Sequence, residues 1–131
     1  MKKYTYALGR RRSAVVTIKL FRGKLQESTV NKISVSKYFP SLRHKIKYQY
    51  PFVLTETLDK FFFEAKAKGG GKEGQLDALL LAISRALEKQ KKSFRSVLKK
   101  VKLLRVDSRI RQRRQAGKGG KSRRAKQSPR R

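Results

Sequence analysis

Residues 105–131 cannot build a core. Twelve of these 27 residues are Lys or Arg, Asp107 is the single acid, and only Val106, Ile110, Ala116 and Ala125 are apolar. Gly117, Gly119 and Gly120 loosen the middle further. Such a segment buries too little apolar surface to offset the entropy of ordering it, so alone it is expected to be disordered. A polyanion changes the balance, because phosphates neutralise the charge and supply hydrogen-bond acceptors. The sequence thus divides into a body, residues 1–104, and an extended basic tail, residues 105–131, disordered without RNA.

The body shares the charge. Residues 1–90 hold nineteen basic and seven acidic residues, a net +12, and the remaining 41 add +17, giving +29 on 131 residues. Self-repulsion at this density opposes compactness, and a constitutive polyanionic partner relieves it. About 104 residues suit one small domain with a single core. The absence of cysteine excludes disulfides, thiolate metal sites and cysteine nucleophiles, and fits a reducing compartment. Tyr4 to Leu8 is a short apolar stretch that runs into Gly9-Arg10-Arg11-Arg12, which is neither a secretory signal nor a membrane span. The expectation is a soluble, intracellular protein.

Ser13 to Phe21 is rich in β-branched residues and alternates partly, as a half-buried strand does. Arg22-Gly23-Lys24 reads as a hairpin turn, with Leu25 to Val30 returning and Tyr4 to Leu8 as an added first strand. Ser34 caps a short helical turn before Pro40, and a weak helical pattern from Leu42 through Ile46 is ended by Pro51. In Phe61 to Lys68, Phe61, Phe63, Ala65 and Ala67 share one face, opposite Phe62, Glu64, Lys66 and Lys68, which predicts a strand with one wet side. The clearest helix is Gln75 to about Gln90, with Leu76, Leu79, Leu80, Ile83 and Leu87 at helical spacing and Asp77, Ser84, Arg85, Glu88 and Lys89 mostly opposite. A second amphipathic piece runs from Phe94 to Leu104. Strands first and helices mainly later indicate an α+β domain with helices packed on one face of the sheet.

Gly69 to Gly74 satisfies G-x-G-x-x-G between a strand and a helix, but the rest of a dinucleotide-binding unit is missing. The strand before it is amphipathic, and no second strand with an acidic end follows the helix. Gln75-Leu76 stands where a P-loop needs Lys and Ser or Thr. What survives is a flexible backbone at a helix N-terminus beside Lys72, able to take a phosphate, or else a plain tight turn. His44 is the only histidine, flanked by Arg43 and Lys45, with no paired carboxylate or nucleophile in reach of sequence reasoning. The eight acids are scattered, so neither metal binding nor catalysis is expected and no cofactor is called for. Arg10, Arg11 and Arg12, with no acid nearby in sequence, present planar forks suited to bidentate phosphate contact. Tyr48, Tyr50, Phe52 and Phe61-Phe62-Phe63 read as packing residues ahead of base-stacking platforms. No zinc-finger spacing, basic zipper or helix-turn-helix is present, so phosphate positioning outweighs base readout.

Several motifs in register resemble one family. Gly-Gly-Gly-Lys-Glu-Gly-Gln-Leu-Asp-Ala (69–78) and Ile83-Ser84-Arg85-Ala86-Leu87 are similar to the signature of small-subunit ribosomal protein nine. Gly9-Arg10-Arg11-Arg12-Ser13-Ala14 resembles that family's opening Gly-Arg-Arg-Lys-Ser-Ala, Tyr38-Phe39 its Tyr-Phe pair, and Leu103 to Arg109 its Leu-Thr-Arg-Asp-x-Arg stretch. The order holds from Gly9 to the C-terminus.

The resemblance implies a four-stranded sheet backed by helices, with a left-handed βαβ crossover that generic rules disfavour. It implies a structural, non-enzymatic role in the head of the small ribosomal subunit, in a cytoplasmic or organellar ribosome. The partners would be small-subunit ribosomal RNA, peptidyl-site tRNA and neighbouring head proteins, with no membrane and no homo-oligomer. The residues expected on ribosomal RNA are Arg10, Arg11, Arg12, Gly70, Gly71, Lys72, Arg85, Arg105, Arg109, Arg111, Arg113, Arg114, Lys118, Lys121, Arg123 and Arg124. Those expected on tRNA are Lys126, Arg130 and Arg131. The ending here, Gln127-Ser128-Pro129-Arg130-Arg131, departs from the family's usual Gln-Phe-Ser-Lys-Arg in lacking the aromatic, while the terminal charge stays. Composition alone also fits a free-standing protein that compacts or chaperones any nucleic acid. A cationic membrane-active protein fits less well, because the best helix has a mixed-charge polar face.

Overall fold

The computed structural model describes residues 3–23, 27–119 and 128–129. Two long strands, β1 (Tyr4–Arg11) and β2 (Ala14–Arg22), form an antiparallel hairpin through Arg12 and Ser13. β3 (Thr29–Val30) and β4 (Ile33–Ser34) form a second, very short one. Asn31 and Lys32 both take positive φ, 51° and 66°, in the two-residue link between them, as type I′ hairpin turns require. Then follow α1 (Val35–Tyr38), α2 (Leu42–Leu54), β5 (Phe61–Lys68), α3 (Lys72–Gln90) and α4 (Phe94–Lys100).

The sheet order is β1-β2-β5-β3-β4, a mixed sheet of five strands where four were expected. The extra strand is the tiny β4, created by the tight turn at Asn31, whose side chain also exchanges two hydrogen bonds with the Ala67 backbone. The expected hairpin between Phe21 and Val30 is not formed. Both edges of β2 are already taken, by β1 and β5, so Thr29 and Val30 pair in parallel with Glu64 and Ala65 instead. Lys24 to Gln26 lie outside the described residues. β4, α1 and α2 make up the connection between the parallel neighbours β3 and β5.

Alternation decides the layers. Ala7, Val16, Ile18, Leu20, Phe63 and Ala65 are buried on one face, beneath Leu76, Leu79, Ile83 and Leu87 of α3. Burying each large apolar side chain contributes about 1.5–3 kcal/mol. α2 and α4 also pack against α3, with Phe52 of α2 reaching Phe63 of β5 in the same core, so α3 is buried on more than its sheet-facing side. This is why Ser84, read as polar-face, is fully buried; its hydroxyl donates to Leu80 O at 2.8 Å. It is also why Leu80, at the boundary, is only half-buried. α3 begins at Lys72, three residues earlier than expected, because Gly71 serves as N-cap and Glu73 suits the first turn.

α2 passes through Pro51, where the sequence predicts a stop, and continues to Leu54. Pro51 leaves Lys47 O without its usual donor, but Tyr48, Pro51 and Phe52 are all buried and hold the last turn in place. Thr55 then closes the helix, with both its amide (3.2 Å) and its hydroxyl (2.9 Å) donating to Pro51 O. α4 ends at Lys100, short of the expected Leu104. Lys102 adopts φ 61°, and Leu103 N donates to Leu98 O at 3.1 Å in a Schellman closure. Among the described residues no helix is long and apolar enough to cross a membrane.

The tightest approach in the fold is at Gly9. A Cβ there would lie 1.9 Å from Ala78 O and 2.7 Å from Ala82 N, so β1 rests on the α3 backbone itself. Gly9→Ala is expected to destabilise the domain by about 3 kcal/mol, in the range of severe overpacking. Denaturant unfolding would measure it, and an unchanged midpoint would show that the strand can lift without cost.

Candidate nucleic-acid interface

The β1–β2 turn, the start of α3 and the root of the tail meet at one end of the domain. Gly69 and Gly70 have φ of +70° and +64°, and a Cβ on them would meet Ser13 O at 2.6 Å and Ala14 Cβ at 2.9 Å. Their glycine character is thus required by conformation and by close packing onto the arginine turn. Gln75 reaches back to donate to Gly69 O at 3.0 Å and accepts the Tyr38 hydroxyl at 2.7 Å, which fixes the loop on both sides. Lys72 stands over the Tyr38 ring, 5.7 Å from its centroid.

The three arginines of the turn have different surroundings. Arg10 is exposed and its Nε donates to Arg12 O at 3.1 Å. Arg12 sits in the turn at φ 53°, also exposed. Arg11 is ion-paired with Asp107 and lies 3.5 Å from Asp77. These two acids, distant in sequence, are what the expectation of an acid-free cluster missed. A lone Asp among twelve cations was the available signal for one of them.

Asp107 clips the tail root to the body. Its carbonyl accepts the Arg12 amide at 3.1 Å, and residues 11 and 107 form an isolated parallel bridge. Its carboxylate takes the Arg109 guanidinium through Nε and Nη2, each at 2.9 Å. The Arg109 hydrogen bonds hold the Asp107 carboxyl well below the usual carboxylate range, with Arg11 adding to the effect against some desolvation. From there a line of shared acids crosses the pole. Lys47 lies 2.6 Å from Asp77 and 3.9 Å from Glu73, and His44 Nε2 lies 2.7 Å from Glu73. The His44 hydrogen bond lowers the Glu73 pKa.

A groove of about 310 Å³ opens between β1, α3 and the tail root. Arg10, Lys102, Arg105 and Arg109 stand around it, beside the already shared Asp77 and Asp107. Cations in this excess, partly preorganised, suit an anion such as a phosphate. Arg111, Arg113, Arg114 and Lys118 continue outward, all exposed. Arg85 lies apart from this pole: it donates to Leu8 O at 2.8 Å and, with Lys89 on Tyr6 O, covers the free edge of β1. Lys121, Arg123, Arg124, Lys126, Arg130 and Arg131 lie outside the described residues. Among the described residues no three His, Cys, Asp or Glu cluster as a metal site would need.

A basic α+β domain with an arginine turn, a glycine-led helix and a clipped basic tail is the class these features define, and comparison with known proteins agrees. The family model "Ribosomal protein S9/S16" matches residues 9–131, and the chain belongs to that family. Similar proteins include the small ribosomal subunit protein uS9 of Methylacidiphilum infernorum, 43% identical over 114 residues, covering 87% of this chain and 83% of that one. The uS9 protein of Rickettsia rickettsii (strain Sheila Smith) is 40% identical over 114 residues, covering 86% and 70%.

The clip should depend on acid in a defined direction. Asp107 binds its proton less readily in the folded chain, so its contribution is complete above the unfolded carboxyl pKa of about 3.9 and is lost as pH falls below it. The Arg12 amide resonance is expected to hold its position from neutral pH to about 4 and to move below that. Asp107→Asn should speed tryptic cleavage after Arg105 and Arg109 severalfold at neutral pH, with little change in melting temperature. Unchanged cleavage would mean the carboxylate does not hold the tail root.

Proposed function

We propose that this chain is a structural, non-catalytic component of the small ribosomal subunit in the cytoplasmic ribosome, binding ribosomal RNA through the arginine pole and the tail. The observation that carries this reading is the convergence, in a member of this family, of Arg10 on β1 with Lys102, and with Arg105 and Arg109 of the tail root, on one groove. The body, residues 1–104, supplies a rigid surface; the tail, residues 105–131, becomes ordered by threading between RNA helices. Phosphates neutralise guanidinium groups that otherwise repel one another, and no bond is made or broken. The family resemblance further gives the β3-to-β5 connection a left hand.

Beyond Arg111 the remaining 20 residues, fully extended, reach at most about 70 Å. That is ample for a tail leaving the subunit head toward the peptidyl-tRNA site, with Lys126, Arg130 and Arg131 at its tip. A basic tip there holds tRNA electrostatically. Neighbouring head proteins and ribosomal RNA are the constitutive partners.

Sedimentation of a lysate on a sucrose gradient after a high-salt wash tests the first part. Stoichiometric co-migration with the small subunit is expected; release to light fractions, or spreading along bulk nucleic acid, would favour a non-specific compacting protein. A freely dissociating complex with about 6–10 phosphate contacts would lose roughly 10³–10⁵ in affinity between 50 and 200 mM salt. Deleting Gln127 to Arg131 should leave folding intact and weaken tRNA retention on purified small subunits. Unchanged retention would sink the tail assignment.

A further inference from the structure

The helices cover one face of the sheet, and the other face is open. Register places its side chains in rows across the strands: Tyr6, Lys19, Glu64 and Thr29; then Leu8, Thr17 and Lys66; then Arg10, Val15 and Lys68. Successive rows are two residues apart, about 6.6–6.8 Å along the strands, comparable with the separation of neighbouring phosphates on an extended nucleic-acid strand. A shallow groove of about 800 Å³ runs over this face, and Lys32 lines its far side from the β3–β4 turn.

The chemistry of the groove is one-sided. Lys19, Lys32, Lys66 and Lys68 stand in it against the single carboxylate of Glu64. Among the described residues no acid forms an ion pair with Lys32, Lys66 or Lys68, whereas Arg11, Lys47 and Arg109 at the pole are all paired. Tyr6 is 51% exposed, and its ring and hydroxyl have no partner among the described residues. Tyr4 differs: its ring leans on Phe21 at 5.7 Å and carries Lys19 Nζ at 5.0 Å, and Phe21 stacks on Phe62 at 5.0 Å. That aromatic row closes one end of the face and leaves Tyr6 as the free ring.

We propose that the open face of the sheet is a second RNA-binding surface, which takes an unpaired segment with a base stacked on Tyr6 and phosphates on Lys32, Lys66 and Lys68. This rests on the ribosomal reading above and adds a contact to it beyond the arginine pole, the two surfaces meeting at Arg10. Flat aromatic rings on a sheet, with lysines around them, suit single-stranded RNA because every base offers a π-face and every linkage a charge. A protein partner would need acidic groups to match four lysines and would gain little apolar contact here. Charge complementarity therefore selects RNA.

The test compares the free full-length protein with purified small subunits. Lysine acylation read by mass spectrometry is expected to modify Lys32, Lys66 and Lys68 in the free protein and to spare them in the subunit. Short-wave ultraviolet irradiation of subunits is expected to leave a nucleotide adduct on the peptide containing Tyr6. In reconstitution against wild type, Tyr6→Leu should lose roughly 5- to 100-fold in affinity, while Tyr6→Phe, which keeps the ring, should compete equally. Lysines as reactive in the subunit as in the free protein would overturn the proposal. So would protection accompanied by amine cross-links from Lys66 or Lys68 to another protein and no nucleotide adduct, since a protein neighbour would then cover the face. Absence of the chain from small subunits would instead defeat the ribosomal reading itself, at the purification and before any labelling.

Discussion

At Gly9 the backbone of β1 lies on the backbone of α3 with no side chain between them, and the basic pole depends on that approach. Arg11 is two residues further along β1, and Asp77 directly precedes Ala78, so the contact brings the guanidinium to 3.5 Å from the carboxylate. The same closeness lets Arg85 and Lys89 reach the Leu8 and Tyr6 carbonyls, which protects an edge strand that would otherwise offer unpaired acceptors. The glycines at 69 and 70 repeat the device one layer over, seating the start of α3 against the beginning of β2. Three chain segments are thereby held at one end of the domain.

Eight carboxylates cannot neutralise 37 cations, so where they lie matters more than how many there are. Three stand at the pole and each is shared: Glu73 by His44 and Lys47, Asp77 by Lys47 and Arg11, Asp107 by Arg11 and Arg109. Solvent-exposed pairs of this kind add little stability. Their effect is orientational. Arg11 and Arg109 are tied down and the tail root is given a direction, while among the described residues no acid is ion-paired with Arg10, Arg12 or Arg105. The opposite face of the sheet shows the reverse arrangement: one carboxylate, Glu64, stands among four lysines, and among the described residues no acid is ion-paired with Lys32, Lys66 or Lys68.

Strand alternation was legible from Phe63 to Lys68, because one face is wet there and the pattern is therefore local; Phe62, read on the wet face, is instead buried where it stacks on Phe21. α3 was legible in kind, but its two-sided burial was not, so Ser84 was read as surface and Leu80 as core. The supposed hairpin from Phe21 to Val30 had suitable turn chemistry and still did not form, since β2 pairs with β1 and with the distant β5. Pro51 was read as a stop by a rule of local geometry, which the burial of Tyr48, Pro51 and Phe52 outweighs. At the site, the arginine turn and the glycine loop stood out as motifs; their acidic partners did not, for no periodicity links residue 11 to residue 107.

The sequence by itself determined that residues 105–131 carry too little apolar surface to build a core, that basic residues far outnumber acids, and that strands and helices combine in an α+β body. Those are consequences of composition and of short-range periodicity, which each segment carries alone. Only the tertiary structure decided which arginines are paired, why Gly9, Gly69 and Gly70 have to be glycine, and which lysines share a face with Tyr6. Each of these is a contact between segments far apart along the chain. Burying one face of the sheet under α3 settles them together, and it leaves the lysines of the other face exposed.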